Sequence, residues 1–455
     1  MGRVEPEGAS RGPVSLTHGT LTPRRFYIPV WVKFALATGL ASAWFGVSLG
    51  IARPWVADLG GVVGEVPAWL IVLFVALIPG FLNAHLAISI LLDRPPPLRL
   101  DVPYPPVTVI IAAYNEEGSL EETLLSLAGQ DYPSRVDIIV VDDGSHDETL
   151  GTLARLAGKY PNLTVIPAPH GGKAFALNYG LAAAATDLVV TIDADTFLHH
   201  QALRRIVARM VTDPPNTAAV AGAVLVRNSR DNLLTRLQEW DYFLAIASVK
   251  RQQSLYQGTL VAQGAFSIFK KAALFEITGW SPVVGEDIFA TWALQKRGYR
   301  IGFEATACAF TRVPATWRGF NRQRQRWARG MIESLKAHLD LVWKRPRLSA
   351  FFVVVDLLFP LLDGTYSLVF IPGIVLALFG YYWIAGLMTL LVIPLIALVA
   401  LAMYWKQVKV FDELGLRIRR NRVGFVAWLL CYQFLMSPVA TLGYAREILG
   451  TTKRW

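Results

Sequence analysis

The chain has 455 residues, of which 53% are hydrophobic and only 17% charged, with a mean hydropathy of +0.39 and a net charge of +10. Soluble domains carry about a quarter charged residues, so the composition excludes an ordinary soluble enzyme. It calls for an integral membrane protein with one soluble domain and several spans, in which surplus Lys and Arg set topology rather than bind nucleic acid.

Residues 1–27 are polar, basic and rich in Gly, Pro and Ser, the composition of a disordered cytosolic tail. Arg24, Arg25 and Lys33 precede or open an apolar run, Phe34 to Ile51, just long enough to cross a bilayer. A signal peptide is the rival reading, but the run is long for one and a second run, Ala68 to Leu92, follows directly. His85 in that second run reads as a packed or interfacial polar residue. Residues 28–93 are therefore expected to form two transmembrane helices that return the chain to the cytosol. A stiff proline-rich linker occupies 94–106.

Over 107–315 the pattern alternates. Strands are expected at Val107–Ala113, Asp137–Val141, Leu163–Ile166 and Leu188–Ile192, with helices over Gly118–Gly129, Leu150–Tyr160 and from Lys173 to Ala185. This order predicts an α/β, Rossmann-like parallel sheet with ligands bound beyond the carboxyl ends of its strands. Tyr114, Asp142 and Asp193 all follow such ends, so one crevice can hold them. Beyond Met210 a strand is expected at Ala218–Val226 and a long helix with mixed faces at Leu233–Ser254. A strand over Gln263–Phe269 would bring small backbone close to a ligand. A helix then runs from Gly285 to Arg297, and a basic aromatic one from Asn321 to Ala337. Residues 316–363 are expected to be interfacial, amphipathic helices. About three spans are expected in 364–447, at Tyr366–Trp383, Ile384–Tyr404 and Val423–Tyr444, before a tail at 448–455. The basic stretch Lys406 to Arg422 fits a cytosolic loop. The two cysteines, Cys308 and Cys431, are too few and too separated for a disulfide framework or a metal motif.

Five short motifs carry chemistry. Asp193-Ala194-Asp195 ends a buried strand. Hard oxygen ligands of this kind suit Mg²⁺ or Mn²⁺, which take one or two protein carboxylates and complete their shell from a diphosphate and water; a solvated turn is the plain alternative. Asp142-Asp143-Gly144 offers carboxylates to a base or ribose, or is an Asp-Gly turn. His170-Gly171-Gly172-Lys173 opens a helix where close backbone approach and the helix N-terminus favour phosphate. It lacks the P-loop and dinucleotide spacings, so those readings fail; Lys173 touches a diphosphate or sugar, or is simply solvated. Glu286-Asp287 supplies a general base for an acceptor hydroxyl, or a helix cap. Gln323, Arg326 and Trp327 share one helix face at i, i+3 and i+4. There Trp can stack on a sugar and Arg can neutralise a leaving diphosphate, unless the helix merely lies on the membrane surface.

In this order the motifs resemble the membrane-embedded family 2 glycosyltransferases of GT-A fold that make β-linked polysaccharides: the cellulose, chitin, hyaluronan and poly-N-acetylglucosamine synthases. The resemblance covers roughly Pro106 to Leu339, and the flanking spans fit it. Arg251–Tyr256, Gly264, Lys270–Leu274 and Trp280–Gln295 are most similar to the bacterial poly-β-1,6-N-acetylglucosamine synthases. The resemblance implies that Tyr114, Glu116 and Asp142 or Asp143 hold uridine. Lys173, Asp193 and Arg326 would meet the rest of the UDP-sugar, with Asp195 the metal ligand beside Asp193. Asp287, with Glu286 next to it, would be the base, and Gly264, Gln323 and Trp327 would face the acceptor. Where the family has Thr-Glu-Asp this chain has Gly285-Glu286-Asp287, which puts the positioning of the acceptor in question. The implied cofactor is Mg²⁺ or Mn²⁺. The implied partners are a UDP-sugar (UDP-N-acetylglucosamine first), the growing polysaccharide and membrane lipid, with a small accessory subunit left open. The implied location is the inner (plasma) membrane, multi-pass, with the catalytic domain cytosolic. Two rivals stand beside this reading: a transferase glycosylating a lipid such as diacylglycerol or ceramide, and a transporter with a catalytically dead nucleotide-binding domain.

Overall fold

The computed structural model describes residues 28–344, 348–386 and 392–452. Its centre is an eight-stranded sheet of β1 (Val107–Ala113), β2 (Val136–Asp142), β3 (Leu163–Pro167), β4 (Leu188–Asp193), β5 (Phe197–Leu198), β6 (Thr217–Val226), β7 (Phe266–Lys270) and β8 (Arg300–Thr311). The spatial order is β3-β2-β1-β4-β7-β6-β8-β5.

The first four strands are parallel, as their alternation with helices predicts. β1, β2 and β4 are β-branched runs buried on both faces. Val109, Ile111, Val140 and Val190 pack beneath Leu120, Leu124, Leu153 and Ile206 on one side. Ile110, Val141 and Val189 pack against Leu177, Leu181, Leu274 and Trp280 on the other. Each such side chain contributes roughly 1.5–3 kcal/mol by leaving water.

The sheet stops being parallel at β7. This strand runs antiparallel to β4, with Phe266 opposite Ile192, and antiparallel to β6. The reversal has a functional consequence. It sets the start of β7 beside the end of β4, so Gln263 and Gly264 stand next to Asp193. The strand begins at Phe266 rather than Gln263, and the Gln263 side chain donates to the Gly222 carbonyl (2.5 Å).

The long helix after β6 is realised as Leu233–Trp240 and Ala247–Leu255, joined through a π-helical stretch, Asp241–Ile246. Such π segments recur where function needs an inward side chain; here Asp241 and Tyr242 are turned into the protein.

Among the described residues four helices are long and apolar enough to cross a membrane: Val30–Val63, Glu65–Leu92, Leu348–Leu378 and Arg422–Ile448. Bulky apolar side chains such as Leu40, Ile51, Leu368 and Val426 cover their exposed faces. The chain is thus a membrane protein built around one α/β domain. The stretch Leu348–Leu378 is one continuous helix with a π-helical turn at Tyr366–Phe370, not an interfacial helix followed by a separate span. Its buried Asp363 is compatible with that depth because Ser437 and Tyr444 of the last helix donate to it at 2.5 and 3.1 Å. The Trp317–His338 helix packs against Arg422–Ile448 rather than lying free on a surface. Its Arg324 and Arg329 point inward, to Asp241 and Glu447. The expected span Ile384–Tyr404 lies partly outside the described residues. The helix Val392–Glu413 packs Met403 and Val410 on Trp240, Phe243 and Cys308. The tail at 1–27 and the residues Lys453 and Arg454 also lie outside them.

Candidate active site

Lys173 is the hub of the crevice. It opens the Lys173–Ala183 helix behind Gly172, whose φ of 90° only glycine adopts without strain. Its Nζ stands 2.5 Å from Asp193 Oδ1 and 3.5 Å from Glu286 Oε1. Burial works against its charge, but Asp193 and Glu286 hold its pKa above the usual lysine value. A Cβ on Gly264 would come within 2.6 Å of Lys173 Nζ and 3.7 Å of Asp193 Oδ1, so the absence of a side chain there is what admits the lysine.

Asp287 closes the same space. Its Oδ1 accepts the Ile288 amide at 2.8 Å, and its Oδ2 accepts the Gly264 amide at 3.4 Å. Thr291 donates to the Asp287 carbonyl (2.6 Å). Glu286 is partly buried; desolvation lifts its carboxyl above the usual range, with Lys173 opposing and Asp287 adding to the rise. Arg326 is exposed and its charge reaches Glu286.

Gly285 resolves the departure from Thr-Glu-Asp. A Cβ there would meet the Cα of Gly330 at 2.9 Å, and a Cβ on Gly330 would meet the Cα of Gly285 at 2.7 Å. Two backbones touch at this point, so glycine on both sides lets the Glu286–Lys296 helix seat directly on the Trp317–His338 helix. Glu333, one turn further on, accepts the Val284 amide at 2.7 Å and locks the contact.

At the other end of the crevice Asp143 acts as a clasp. Its Oδ1 and Oδ2 accept the Gly171 and Gly172 amides at 2.9 and 3.0 Å, and His170 Nδ1 lies 2.9 Å from Oδ2. Both oxygens are thus engaged in holding the loop that presents Lys173. Asp142 differs: Oδ2 accepts the Ser145 amide at 3.3 Å, while the buried Oδ1 has no partner among the described residues. The exposed Tyr114 ring stacks on His170 with centroids 4.5 Å apart. Glu116 accepts the Ser119 hydroxyl at 2.5 Å, and burial raises its pKa.

Asp195 accepts the Thr311 hydroxyl at 3.1 Å. Burial, followed by the charges of Asp193 and Glu116, raises its pKa to about 6. Three carboxylates therefore repel one another beside the end of β4, opposed by the Thr311 hydroxyl and the charge of Lys173.

The third wall is the Trp317–His338 helix. Trp327 is 38% exposed, and Gln323 Oε1 is buried without a partner among the described residues. Arg324, between these two, is 1% exposed and stands outside the expected Gln323-x-x-Arg326-Trp327 set. Its guanidinium lies 4.1 Å from the Trp327 ring centre and 3.0 Å from Asp241 Oδ2. Tyr432 donates to the same carboxylate at 2.8 Å. Trp327 is thus held from below by an arginine that the last membrane helix helps to anchor.

This is a crevice at strand ends, lined by Lys173, the carboxylates of Glu116, Asp193, Asp195, Glu286 and Asp287, the exposed Arg326 and the exposed Trp327. Residues 108–278 match the family model described as Glycosyl transferase family 2. They form a family 2 glycosyltransferase domain. The chain is 32% identical over 251 residues to the poly-beta-1,6-N-acetyl-D-glucosamine synthase of Staphylococcus aureus strain MSSA476 and 31% identical over 251 residues to that of Staphylococcus epidermidis. Each match takes in 55% of this chain and 60% of the relative, so the chain spans less than two thirds of the relatives' length. A mannosyltransferase, PcManGT, from Pyrobaculum calidifontis, solved with GDP-Man and Mn2+, superposes over 93% of this chain and all of its own, with a TM-score of 0.55 and 19% identity. That likeness establishes the GT-A fold for the glycosyltransferase domain with its flanking helices.

Several residues of the domain that line or support the site carried no sequence signal of their own. Asp241 and Tyr242 sit mid-helix, Thr311 ends a strand, and Arg324 hides between motif positions. Lys250 donates to the Val261 carbonyl (2.6 Å), and burial lowers its pKa to about 7 while Asp287 pulls the other way. The π-helical turn places Asp241 and Tyr242, the end of β8 places Thr311, and the Trp317–His338 helix places Arg324.

Proposed function

We propose that the protein transfers a sugar from a UDP-sugar, UDP-N-acetylglucosamine first, to the end of a growing β-linked polysaccharide. The similarity to two poly-beta-1,6-N-acetyl-D-glucosamine synthases is what carries the choice of donor and product. The reaction runs at the cytosolic face of the bacterial inner membrane, and the spans guide the polymer outward.

In this reading Tyr114, Glu116 and Asp142, whose Oδ1 is free, hold the uridine, and Asp143 shapes the loop instead. Lys173 and Arg326 face the diphosphate and offset charge as UDP leaves. Asp193 and Asp195, clustered with Glu116, would hold a divalent ion, Mg²⁺ or Mn²⁺. Two carboxylates suit a cation that takes its other ligands from a diphosphate and water, and the mutual repulsion seen at Asp195 is what a dication would relieve. Such an ion supplies charge stabilisation for the departing diphosphate. Asp287 takes the proton from the acceptor hydroxyl, and the oxygen attacks the anomeric carbon from the face opposite UDP. One displacement inverts the configuration. The Gly264 and Ile288 amides fix the Asp287 carboxylate for this step. Trp327, backed by Arg324, stacks on the acceptor sugar, and Gln323 Oε1 accepts a hydroxyl from it.

The test is a panel of UDP- and GDP-sugars given to the purified full chain in detergent with Mg²⁺ or Mn²⁺, scored by nucleotide release and product mass. UDP release from UDP-N-acetylglucosamine with a high polymer supports the reading. A single glycolipid product, or release from a GDP-sugar alone, overturns it.

A further inference from the structure

A second basic site lies away from the crevice, where the glycosyltransferase domain meets the last membrane helix. A cavity of about 350 Å³ is lined by Arg230, Arg236, Arg420, Asn421, Arg422 and Val423. Arg230 and Arg236 come from the segment at and before the Leu233–Trp240 helix. The other residues open the Arg422–Ile448 helix.

The electrostatics are one-sided. Arg230 donates to Glu239 at 2.9 Å. Among the described residues no carboxylate pairs with Arg236, Arg420 or Arg422, and Arg236 Nε is buried without a partner. The carboxylate that meets Arg230 is further occupied by Asn421, whose side-chain amide donates to Glu239 at 2.6 Å. Asn421 also accepts the Gly424 amide at 3.1 Å, which leaves the amides of Arg422 and Val423 to open a 27-residue helix toward the cavity. Four guanidinium groups around one concavity repel one another unless an anion joins them, and guanidinium forks match phosphate oxygens in geometry.

The position of the cavity selects the source of that phosphate. Val423, Val426 and Leu430 lie at i, i+3 and i+7 of the membrane helix and are 65%, 53% and 46% exposed. They form an apolar stripe that starts at the cavity and runs down the span. A ligand with a phosphate at one end and an acyl chain at the other would satisfy both halves.

We propose that this cavity binds the phosphate headgroup of an anionic phospholipid, with an acyl chain along Val423, Val426 and Leu430, and so fixes the domain against the leaflet. The site is separate from the donor crevice and does not depend on which sugar is transferred.

The experiment uses the full chain in detergent, titrated with mixed micelles containing phosphatidylglycerol or phosphatidylcholine, with retained lipid counted by native mass spectrometry. Arg236, Arg420 and Arg422 are changed together to Gln. A control changes the exposed Arg417 and Arg419 of the same loop, which do not line the cavity. Wild type and the control should retain phosphatidylglycerol in preference to phosphatidylcholine, and the triple variant should lose about a hundredfold in apparent affinity. The triple Arg→Lys variant should recover much of that loss and shows that the cavity still folds. Equal losses in the control and the triple variant, equal retention of the two lipids, or displacement of phosphatidylglycerol by inorganic phosphate or UDP would each overturn the proposal.

Discussion

Lys173 Nζ and Asp193 Oδ1 are 2.5 Å apart, and Gly264 is the residue that lets them meet. The lysine comes from a helix N-terminus, the aspartate from the end of β4, and the glycine from the segment that leads into the reversed strand β7. Their meeting is a product of topology rather than of any one motif.

Removing the lysine leaves Asp193 and Glu286 facing each other without a cation. Lys173→Met is expected to lower kcat/KM for sugar transfer by about 10²–10³, the cost typical of losing one charge stabiliser in an active site. Gly264→Ala should approach the same loss by another route. The new Cβ can displace only the flexible end of Lys173, so the protein should stay folded. UDP-release rates with thermal melting in detergent check both variants. A Gly264→Ala protein with wild-type turnover would show that the lysine contact plays no part in transfer.

Gly285 and Gly330 make a backbone contact that a side chain cannot share. Gly285→Thr, which restores the family's usual residue, is therefore expected to destabilise this chain by about 1–3 kcal/mol, the usual cost of overpacking, and to reduce transfer by moving Glu286 and Asp287. Gly330→Ala should act in the same direction. The two sites share one contact, so the double variant should cost less than the sum of the singles. Denaturant or thermal unfolding midpoints together with turnover of the three variants test this.

Much of the fold is legible in the sequence, because β1 to β4 are dense β-branched runs separated by helical periodicity and closed by acidic turns. The reversal at β7 is not legible, since a five-residue apolar strand reads the same in either direction. Asp142 and Asp143 look equivalent on paper; the structure separates them, because the Gly171 and Gly172 amides converge on one and leave an oxygen of the other free. The Gln323-Arg326-Trp327 face is readable from helical spacing, but Arg324 is not. It lies on the neighbouring face, and only the packing of the π-helical turn and the last membrane helix shows that it is buried.

Arg324 and Arg326 are two positions apart and should fail differently. Arg324→Met strands the buried Asp241 and is expected to cost about 3–5 kcal/mol, as breaking a buried ion pair does. Arg324→Met with Asp241→Asn should recover part of that loss. Arg326→Ala touches an exposed side chain and should leave the melting temperature unchanged while lowering kcat. Melting curves and turnover measured on the same preparations separate the two roles; a shared phenotype would contradict the assignment.

The carboxylates at the end of β4 predict the response to pH and metal. The Asp195 pKa rises from 3.8 to about 6 through burial and through the charges of Asp193 and Glu116. Between those two values the native state binds more protons than the unfolded chain, so metal-free stability should fall as the pH rises through about 6. Burial moves Glu116 and Glu286 in the same direction, so Asp195→Asn should shallow this slope without abolishing it. Above that pH Asp195 carries the charge a divalent ion would meet. Added Mn²⁺ or Mg²⁺ should therefore raise the melting temperature more at neutral pH than in mild acid, and Asp195→Asn should remove most of that rise. Melting curves with chelator and with metal across this range give the answer without any substrate. A metal-induced rise that does not depend on pH, or that survives Asp195→Asn, would place the ion elsewhere.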